Sequence, residues 1–365
     1  MVYGRRLLDN LDVTTIGVAL ALVAIGIVGI ASATHDEADG SGLWQRQVIW
    51  ALIALGVGAV VVAIDYHIWA ELALALHAAA MAGLVAVLFF GRTVAGNQSW
   101  LVFGPMRLQP SELAKWTTCL VLAAYLALRV RDRIRLRHLI EMGVLVGLPM
   151  GLIAAQPDDG TALTFLPIYA AAVLLGGVRW KVVGIVMLIM LPLLPIGWTQ
   201  LNTYQKERIL TTLDPGRDPE GVGYQARQSK IAIGSGGLTG KGVFRGTQSQ
   251  LKYLPAQHTD FVMAVLAEEL GFVGAASVLG LFYFLLVRGL AAARLAQDRL
   301  GTYMCLLVVA WLLGQLTINI GMVLGQLPTI GVPLPLVSYG GSALLATACG
   351  IGLIVNVRTR RFVNV

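Results

Sequence analysis

Asp260 ends the only long polar stretch of the chain, Gln200 to Thr259, and the apolar run F-V-M-A-V-L-A follows it at once. A carboxylate therefore stands at the mouth of an apolar helix, beneath a segment large enough to cover a site. A charge at that place needs a reason, because an ionised side chain is costly at membrane depth. The competing reading makes Thr259 or Asp260 the N-cap of the helix. Farther along, Glu268 shares a helical face with Asp260 and Ala264 at about 12 Å of rise, with Glu269 beside it. Inside an apolar run these two acids must face protein, water or a partner charge such as Lys115.

Two shorter clusters carry further polar chemistry. In Q-P-S-E-L-A-K, Gln109 to Lys115, Pro110 and Ser111 mark a helix start, with the Ser111 hydroxyl available to cap free amides. Glu112 and Lys115, three apart, can neutralise one another, as an ion pair that fixes the helix end or as a grip on a polar ligand. In Q-P-D-D-G-T, Gln156 to Thr161, Pro157 and Gly160 are turn residues and Asp159 is placed to cap the next helix. The adjacent Asp158 is a speculative ligand for a divalent cation, Mg or Mn, although two carboxylates are too few to define such a site. The glycine-rich stretch Gly234 to Gly242 fails as a phosphate-binding loop: Ser235 occupies the first glycine position and Gly242 the Ser/Thr position, so it reads as a flexible turn.

These residues must be positioned by membrane helices. With 57% hydrophobic and 13% charged residues and a mean hydropathy of +0.74, 365 residues cannot form a water-soluble domain. A span needs about 20 apolar residues, which predicts an all-α, polytopic integral membrane protein with ten transmembrane helices. They run approximately Val13 to Ala33, Val48 to Ile64, Ala70 to Phe90, Leu113 to Leu128, Leu139 to Ala155, Thr161 to Leu175, Val182 to Trp198, Phe261 to Val287, Tyr303 to Gln326 and Val337 to Val357. Pro167, Pro192 and Pro195 interrupt the sixth and seventh. The chain reads as one transmembrane domain over 1–365, with residues 200–259 a large extracytoplasmic loop within it. With the N-terminus inside, the inner segments hold fifteen Lys and Arg and the short outer loops only Arg46, Arg92 and Arg107. Both termini are expected to be cytoplasmic, and Asp158, Asp159 and Asp260 to lie on the outer face.

Other signals exclude more than they assign. Arg5 and Arg6 before the first apolar run read as a retained signal anchor, because nine more spans follow. Cys119, Cys305 and Cys349 fall inside spans without C-x-x-C spacing, which argues against a disulfide framework or zinc site. The arginine run from Arg129 to Arg137 lies between spans, so it is a topology determinant facing anionic membrane lipids, with no nucleic acid implied.

Longer motifs carry a resemblance. Q-P-S-E-L-A-K, P-D-x-G-T, Gly223-Tyr224-Gln225 through I-A-I-G-S-G-G-L to G-T-Q-S-Q, H-T-D-F with A-E-E-L-G, and Asn319 to Ser342 occur in order across nearly the whole chain. Together they resemble the SEDS family of cell-wall proteins (shape, elongation, division and sporulation), and the A-E-E-L-G wording is closer to its elongation branch. The resemblance implies a peptidoglycan glycosyltransferase in the bacterial cytoplasmic (inner) membrane that polymerises lipid II at the outer face. It makes Asp260 essential and Glu112 and Lys115 an important pair, and it extends substrate contact to His258 and Ser342. Implied partners are lipid II itself, a class B penicillin-binding protein and other proteins of the cell-elongation complex. Two positions depart from the family pattern: Ala256 where Glu often follows the proline, and Asp159 where an apolar residue is common. The second leaves Asp158 the better candidate of its pair.

The chemistry suits one well-placed carboxylate. An acceptor sugar hydroxyl must lose a proton as it attacks the donor's anomeric carbon, and the lipid pyrophosphate leaves as a stable anion without a paired general acid. The 200–259 segment has eight basic and four acidic residues, net +4, and so attracts phosphate. Arg227 and Lys230, three apart, share a face if helical and are named as pyrophosphate contacts alongside Lys115. Two rival readings use the same residues: a lipid II flippase with Glu112, Lys115, Glu268 and Glu269 as its polar path, and a non-catalytic scaffold for a penicillin-binding protein.

Overall fold

The computed structural model describes residues 10–35, 42–94, 97–104, 106–130, 133–178, 203–214 and 222–362, with isolated positions between 184 and 201. In chain order the helices are α1 (Val13–Ala33), α2 (Leu43–Ala63), α3 (Tyr66–Glu71), α4 (Ala73–Phe90), α5 (Pro110–Arg129), α6 (Leu136–Ala154), α7 (Asp159–Leu163), α8 (Phe165–Leu175), α9 (Thr203–Leu213), α10 (Val222–Gly236), α11 (Thr247–Gln250), α12 (Val262–Arg294), α13 (Arg299–Val323) and α14 (Gly341–Thr359). Between α4 and α5 lies an antiparallel three-stranded sheet of β1 (Arg92–Val94), β2 (Asn97–Phe103) and β3 (Met106–Leu108), which the hydropathy pattern did not foretell. Gln98 secures it by donating to the carbonyls of Val87 and Gly91 at the end of α4.

Among the described residues, seven helices are long and apolar enough to cross a membrane: α1, α2, α4, α6, α12, α13 and α14. The protein is an α-helical, multi-pass membrane protein. α5 is 20 residues long and less apolar, because it carries Glu112 and Lys115. Its first fifteen residues are nearly all buried, against α4, α13 and α14. A helix enclosed on all sides by protein does not need the hydropathy of a lipid-facing one. The expected sixth span is divided at Thr164 into α7 and α8, just before Pro167. The expected seventh span, Val182 to Trp198, lies outside the described residues, as do Arg5 and Arg6, so the count of ten is not established. Cys119, Cys305 and Cys349 are buried and unpaired, as small core residues.

Hydrogen bonds sort the helix ends into two faces. On one, the Ala33 carbonyl accepts from Gln257, and Gln109 joins Ser342 to Asp158. On the other, Asp12 pairs with Arg288 and Arg358, and Asp65 with Arg360. Asp158 and Asp260 belong to the first face and the tail of α14 to the second, the alternation expected of antiparallel spans.

The α13–α14 connection, 324–340, is exposed at its start but is buried from Leu334 to Ser338, where it dips between helices and α1 accommodates it at Gly26. A Cβ there would stand 2.4 Å from the Val337 carbonyl oxygen, whereas one at Gly17 would meet nothing within 4 Å. Gly26→Ala is expected to cost about 1–3 kcal/mol through overpacking. Thermal unfolding in detergent should show a lower melting temperature for Gly26→Ala and none for Gly17→Ala; equal behaviour of the two would refute the close approach.

Candidate active site

Asp260 sits in the turn before α12, and its side chain is partly exposed. It does not cap the helix: the N-cap residue is Phe261, which makes no side-chain bond to the first turn. Neither Thr259 nor Asp260 is therefore explained as a cap. The turn is wound onto the Ala256 carbonyl, which accepts from the amides of Thr259 and Asp260, each at 3.1 Å. It is then tied to the 324–340 connection. Asn319 Nδ2 donates to the Asp260 carbonyl at 2.9 Å and to that of Val332 at 2.7 Å, Ser338 Oγ donates to the Thr259 carbonyl, and the Tyr339 amide donates to the His258 carbonyl at 2.9 Å. Gly331 faces the carboxylate; a Cβ there would lie 3.4 Å from Oδ2.

Asp158 is the neighbouring acid. It caps α7 by accepting from the Thr161 amide at 3.2 Å, and its other oxygen accepts from Gln109 Nε2 at 3.1 Å. The cap is thus Asp158 and not Asp159, whose carboxylate instead accepts from Gln205 on α9. Burial raises the Asp158 pKa above the ordinary carboxylate value. Burial pushes Asp260 up to about 6, with the charge of Asp158 adding to the effect and Arg208 opposing it. Two acids sharing a confined space resist simultaneous ionisation. Among the described residues no group of three or more His, Cys, Asp or Glu side chains is placed to hold a metal ion.

The Glu112–Lys115 pair forms as the spacing predicts, at 2.8 Å, with both residues 1% exposed. Lys115 also donates to Gln315 Oε1 at 3.1 Å and lies 5.7 Å from the centre of the Trp311 ring. Gln315 accepts from Trp311 Nε1 and donates to the Pro333 carbonyl, both at 2.9 Å. Lys115 thus reaches the loop opposite Asp260 through Gln315, and it does not line the basic cavity described below. The Ser111 hydroxyl is buried without a hydrogen-bond partner and caps nothing; Gln109 is the N-cap position and makes no side-chain cap either.

Glu268 and Glu269 take different partners from Lys115. Glu268 is fully buried and accepts from Lys241 Nζ at 2.7 Å, from the Thr247 hydroxyl at 3.1 Å and from the amides of Gln248 and Ser249. Glu269 accepts from the Ser32 hydroxyl, which also receives the Phe244 amide at 3.2 Å. The helix breaks at Gly271, with φ 69°, and the glycine-rich segment fills the gap. Lys241 and Gly242 amides donate to the Glu268 and Glu269 carbonyls, while Phe272 and Val273 amides donate to Gly237 and Leu238. The segment read as a flexible turn is a docked plug.

Arg227 and Lys230 lie on one face of α10, as their spacing requires. With Arg208, Thr211 and Thr329 they line a cavity of about 270 Å³. Thr329 is two residues from Gly331, so the cavity and the Asp260 carboxylate border the same loop. His258 is partly exposed, with its ring 5.9 Å from that of Tyr339. Ser342 is 1% exposed; its oxygen accepts from the Gln109 amide at 3.0 Å and contacts the Arg107 carbonyl at 3.4 Å, a tie between backbone segments instead of an open ligand contact. Gln109, Arg208, Gln315, Asn319 and Ser338 were not singled out from the sequence. For Gln315 and Asn319 a signal existed: an amide inside an apolar helix needs a partner.

A multi-pass helical bundle with a raised carboxylate and a basic cavity bordering one loop is the class of membrane protein that the fold and the site define. Residues 12–362 match the FtsW/RodA/SpoVE family of cell cycle proteins, and the chain belongs to that family. It is 40% identical over 353 residues to the peptidoglycan glycosyltransferase MrdB of Escherichia coli strain K12, covering 96% of this chain and 94% of that one. It is 34% identical over 359 residues to the probable peptidoglycan glycosyltransferase FtsW of Trichlorobacter lovleyi, covering 96% and 93%. In structure it resembles the rod shape determining protein RodA of Thermus thermophilus, with a TM-score of 0.71 at 30% identity, covering 96% and 98%. A chain from a peptidoglycan synthase complex that coordinates polymerization and crosslinking gives a TM-score of 0.82 at 33% identity, over the same shares.

Removing one partner of a buried ion pair leaves an uncompensated charge, at a cost of about 3–5 kcal/mol, whereas replacing both by apolar groups is often neutral. Lys115→Met alone should therefore lower the melting temperature sharply, and Glu112→Leu with Lys115→Met should recover most of the loss. A double-mutant cycle read by thermal unfolding checks this; additive losses would contradict the pairing.

Proposed function

We infer that this chain acts as a peptidoglycan glycosyltransferase, polymerising lipid II with Asp260 as its general base. The acceptor sugar hydroxyl gives its proton to the Asp260 carboxylate while its oxygen attacks the donor's anomeric carbon. The bond from that carbon to the phosphate oxygen breaks, and undecaprenyl pyrophosphate leaves with the electron pair. The observation that carries this reading is Asp260 itself: it is freed from capping, held by backbone bonds on both sides of the turn, and buried enough to raise its pKa to about 6. A base of that pKa is ionised at neutral pH yet retains more driving force for proton abstraction than an exposed aspartate.

Arg227 and Lys230, with Arg208, supply the positive potential that the pyrophosphate requires as charge develops on it. Glu112 and Lys115 act by position: through Gln315 they hold the Pro333 carbonyl, and with it the loop facing Asp260. Both termini lie in the cytoplasm, as the arginine distribution favours, so Asp260 faces outward across a bacterial inner membrane. A class B penicillin-binding protein crosslinks the product strand, a reading supported by the likeness to a chain from a complex that coordinates those two activities.

Purified protein assayed on lipid II, with and without such a partner, tests the reading. Asp260→Ala should fold and insert in the membrane but make no glycan polymer; a normal rate would end the general-base assignment. Because the base must be ionised, the wild-type rate should climb tenfold per pH unit below about 6 and level off above it. Arg227→Ala with Lys230→Ala should weaken use of lipid II by about tenfold or more, through lost charge-assisted contacts. An unchanged dependence on lipid II concentration would remove those two residues from the site.

A further inference from the structure

A second cavity opens on the face that carries Asp12 and the tail of α14. It is an apolar groove of about 430 Å³ between α1, α2 and α14, lined by Val23, Ala54, Ala59, Leu344 and Val355 among others. Along α1 it runs from Val23 down to Ile16 and on to Leu11, and along α14 from Leu344 to Thr359. Twelve residues from Val23 to Leu11 correspond to about 18 Å of helix, close to the roughly 15 Å depth of one hydrocarbon leaflet. The groove therefore opens at the terminal face, and along α14, where Leu344 to Thr359 is about 22 Å of helix, it reaches deeper, to Leu336 of the 324–340 connection. A methylene group takes roughly the volume of a water, about 30 Å³, so the groove holds one fatty acyl chain.

The mouth of the groove is charged. Asp12, which caps α1 next to Leu11, is the shared acceptor of Thr15, of Arg288 from α12 and of Arg358 from α14, the last at 3.2 Å. One carboxylate thus serves two guanidinium groups, leaving a net positive charge where the apolar lining ends. Arg358, whose side chain is 15% exposed, keeps Nη1 without a hydrogen-bond partner, and Arg361 follows three residues on. Thr359 lines the groove beside Arg358. An apolar slot that ends at an excess of arginine has the profile of a lipid with an acyl tail and an anionic head.

We propose that this groove is a binding site for an anionic phospholipid of the terminal-face leaflet, with one acyl chain between α1, α2 and α14 and the phosphate at Arg358. None of the residues that line the groove belongs to the Asp260 site, and its occupant fills a recess in the surface of three helices that already pack together. Ala19 and Ala59, on the groove walls, set its width; a phenylalanine at either position fills it.

Native mass spectrometry of the delipidated full chain, titrated with dioleoyl phosphatidylglycerol or dioleoyl phosphatidylcholine, tests this. Wild type should retain one phosphatidylglycerol at a concentration about fivefold or more below that needed for phosphatidylcholine, the preference one arginine near a headgroup confers. Ala59→Phe and, independently, Ala19→Phe should lose that bound molecule of either lipid. Arg358→Gln should keep the acyl occupancy and lose the preference; if it fails to fold, the two alanine variants decide. Equal retention of the two lipids by wild type, or unchanged retention in both phenylalanine variants, overturns the proposal. Stoichiometric displacement of phosphatidylglycerol by a prenyl diphosphate overturns it too, since the groove would then belong to the substrate's chain. Failure of this proposal leaves the Asp260 reading intact, because polymerisation by Ala59→Phe is measured separately.

Discussion

Backbone that leaves helical geometry inside an apolar bundle must find its hydrogen bonds within the protein, because hydrocarbon offers none. The connection from Leu324 to Gly340 obeys that constraint, and the candidate site is the result. Its Val332 and Pro333 carbonyls are taken up by Asn319 and Gln315, its Leu334 amide by Ser338, and Ser338 in turn donates to Thr259. Every one of these bonds also fixes the turn that presents Asp260 or the loop that faces it. The same amides that make irregular backbone tolerable at membrane depth also hold in place the turn that carries the Asp260 carboxylate.

Charge is distributed by role. Glu112 and Lys115 neutralise each other in the interior, where either alone would cost several kcal/mol, and so stiffen α5 against α13. Glu268, equally buried, is satisfied from outside its own helix by Lys241 and three donors of the segment that ends at Ser249. It holds the covering segment down, and the break at Gly271 adds four backbone bonds to that hold. Asp260, in the turn before α12, has no such set of donors, and burial beside Asp158 carries its pKa to about 6.

The apolar groove and the acidic turn divide the bundle by height. Polar networks and the basic cavity gather on the face bearing Asp260, while the terminal face is closed by Asp12, Asp65 and the arginines that share them. Between the two, α2 and α14 approach closely where Gly58 and Gly352 meet. That contact forms the back wall of the groove, so depth in the membrane is obtained from missing side chains and not from a gap between helices.

Much of this was legible in the residues themselves. Runs of about 20 apolar residues marked the long helices because a bilayer imposes one length on any segment that crosses it. The i,i+3 spacing foretold the Glu112–Lys115 pair and the common face of Arg227 and Lys230, since both are local to one helix. The position of Asp260 at the head of an apolar run was equally local. What the residues could not say was which distant groups meet. Lys115 as a partner for Glu268 was reasonable from hydropathy and is wrong in space, because Lys115 is taken up by Glu112 and Gln315 while Glu268 faces Lys241. The glycine-rich segment reads as a flexible turn until the free carbonyls of that break are placed against it. The capping role fell to Asp158 and not to Asp159 through a one-residue shift that only the tie to Gln109 settles. Periodicity along one helix belongs to the chain; pairing between helices depends on how their ends are tied together, and tertiary structure alone decided that.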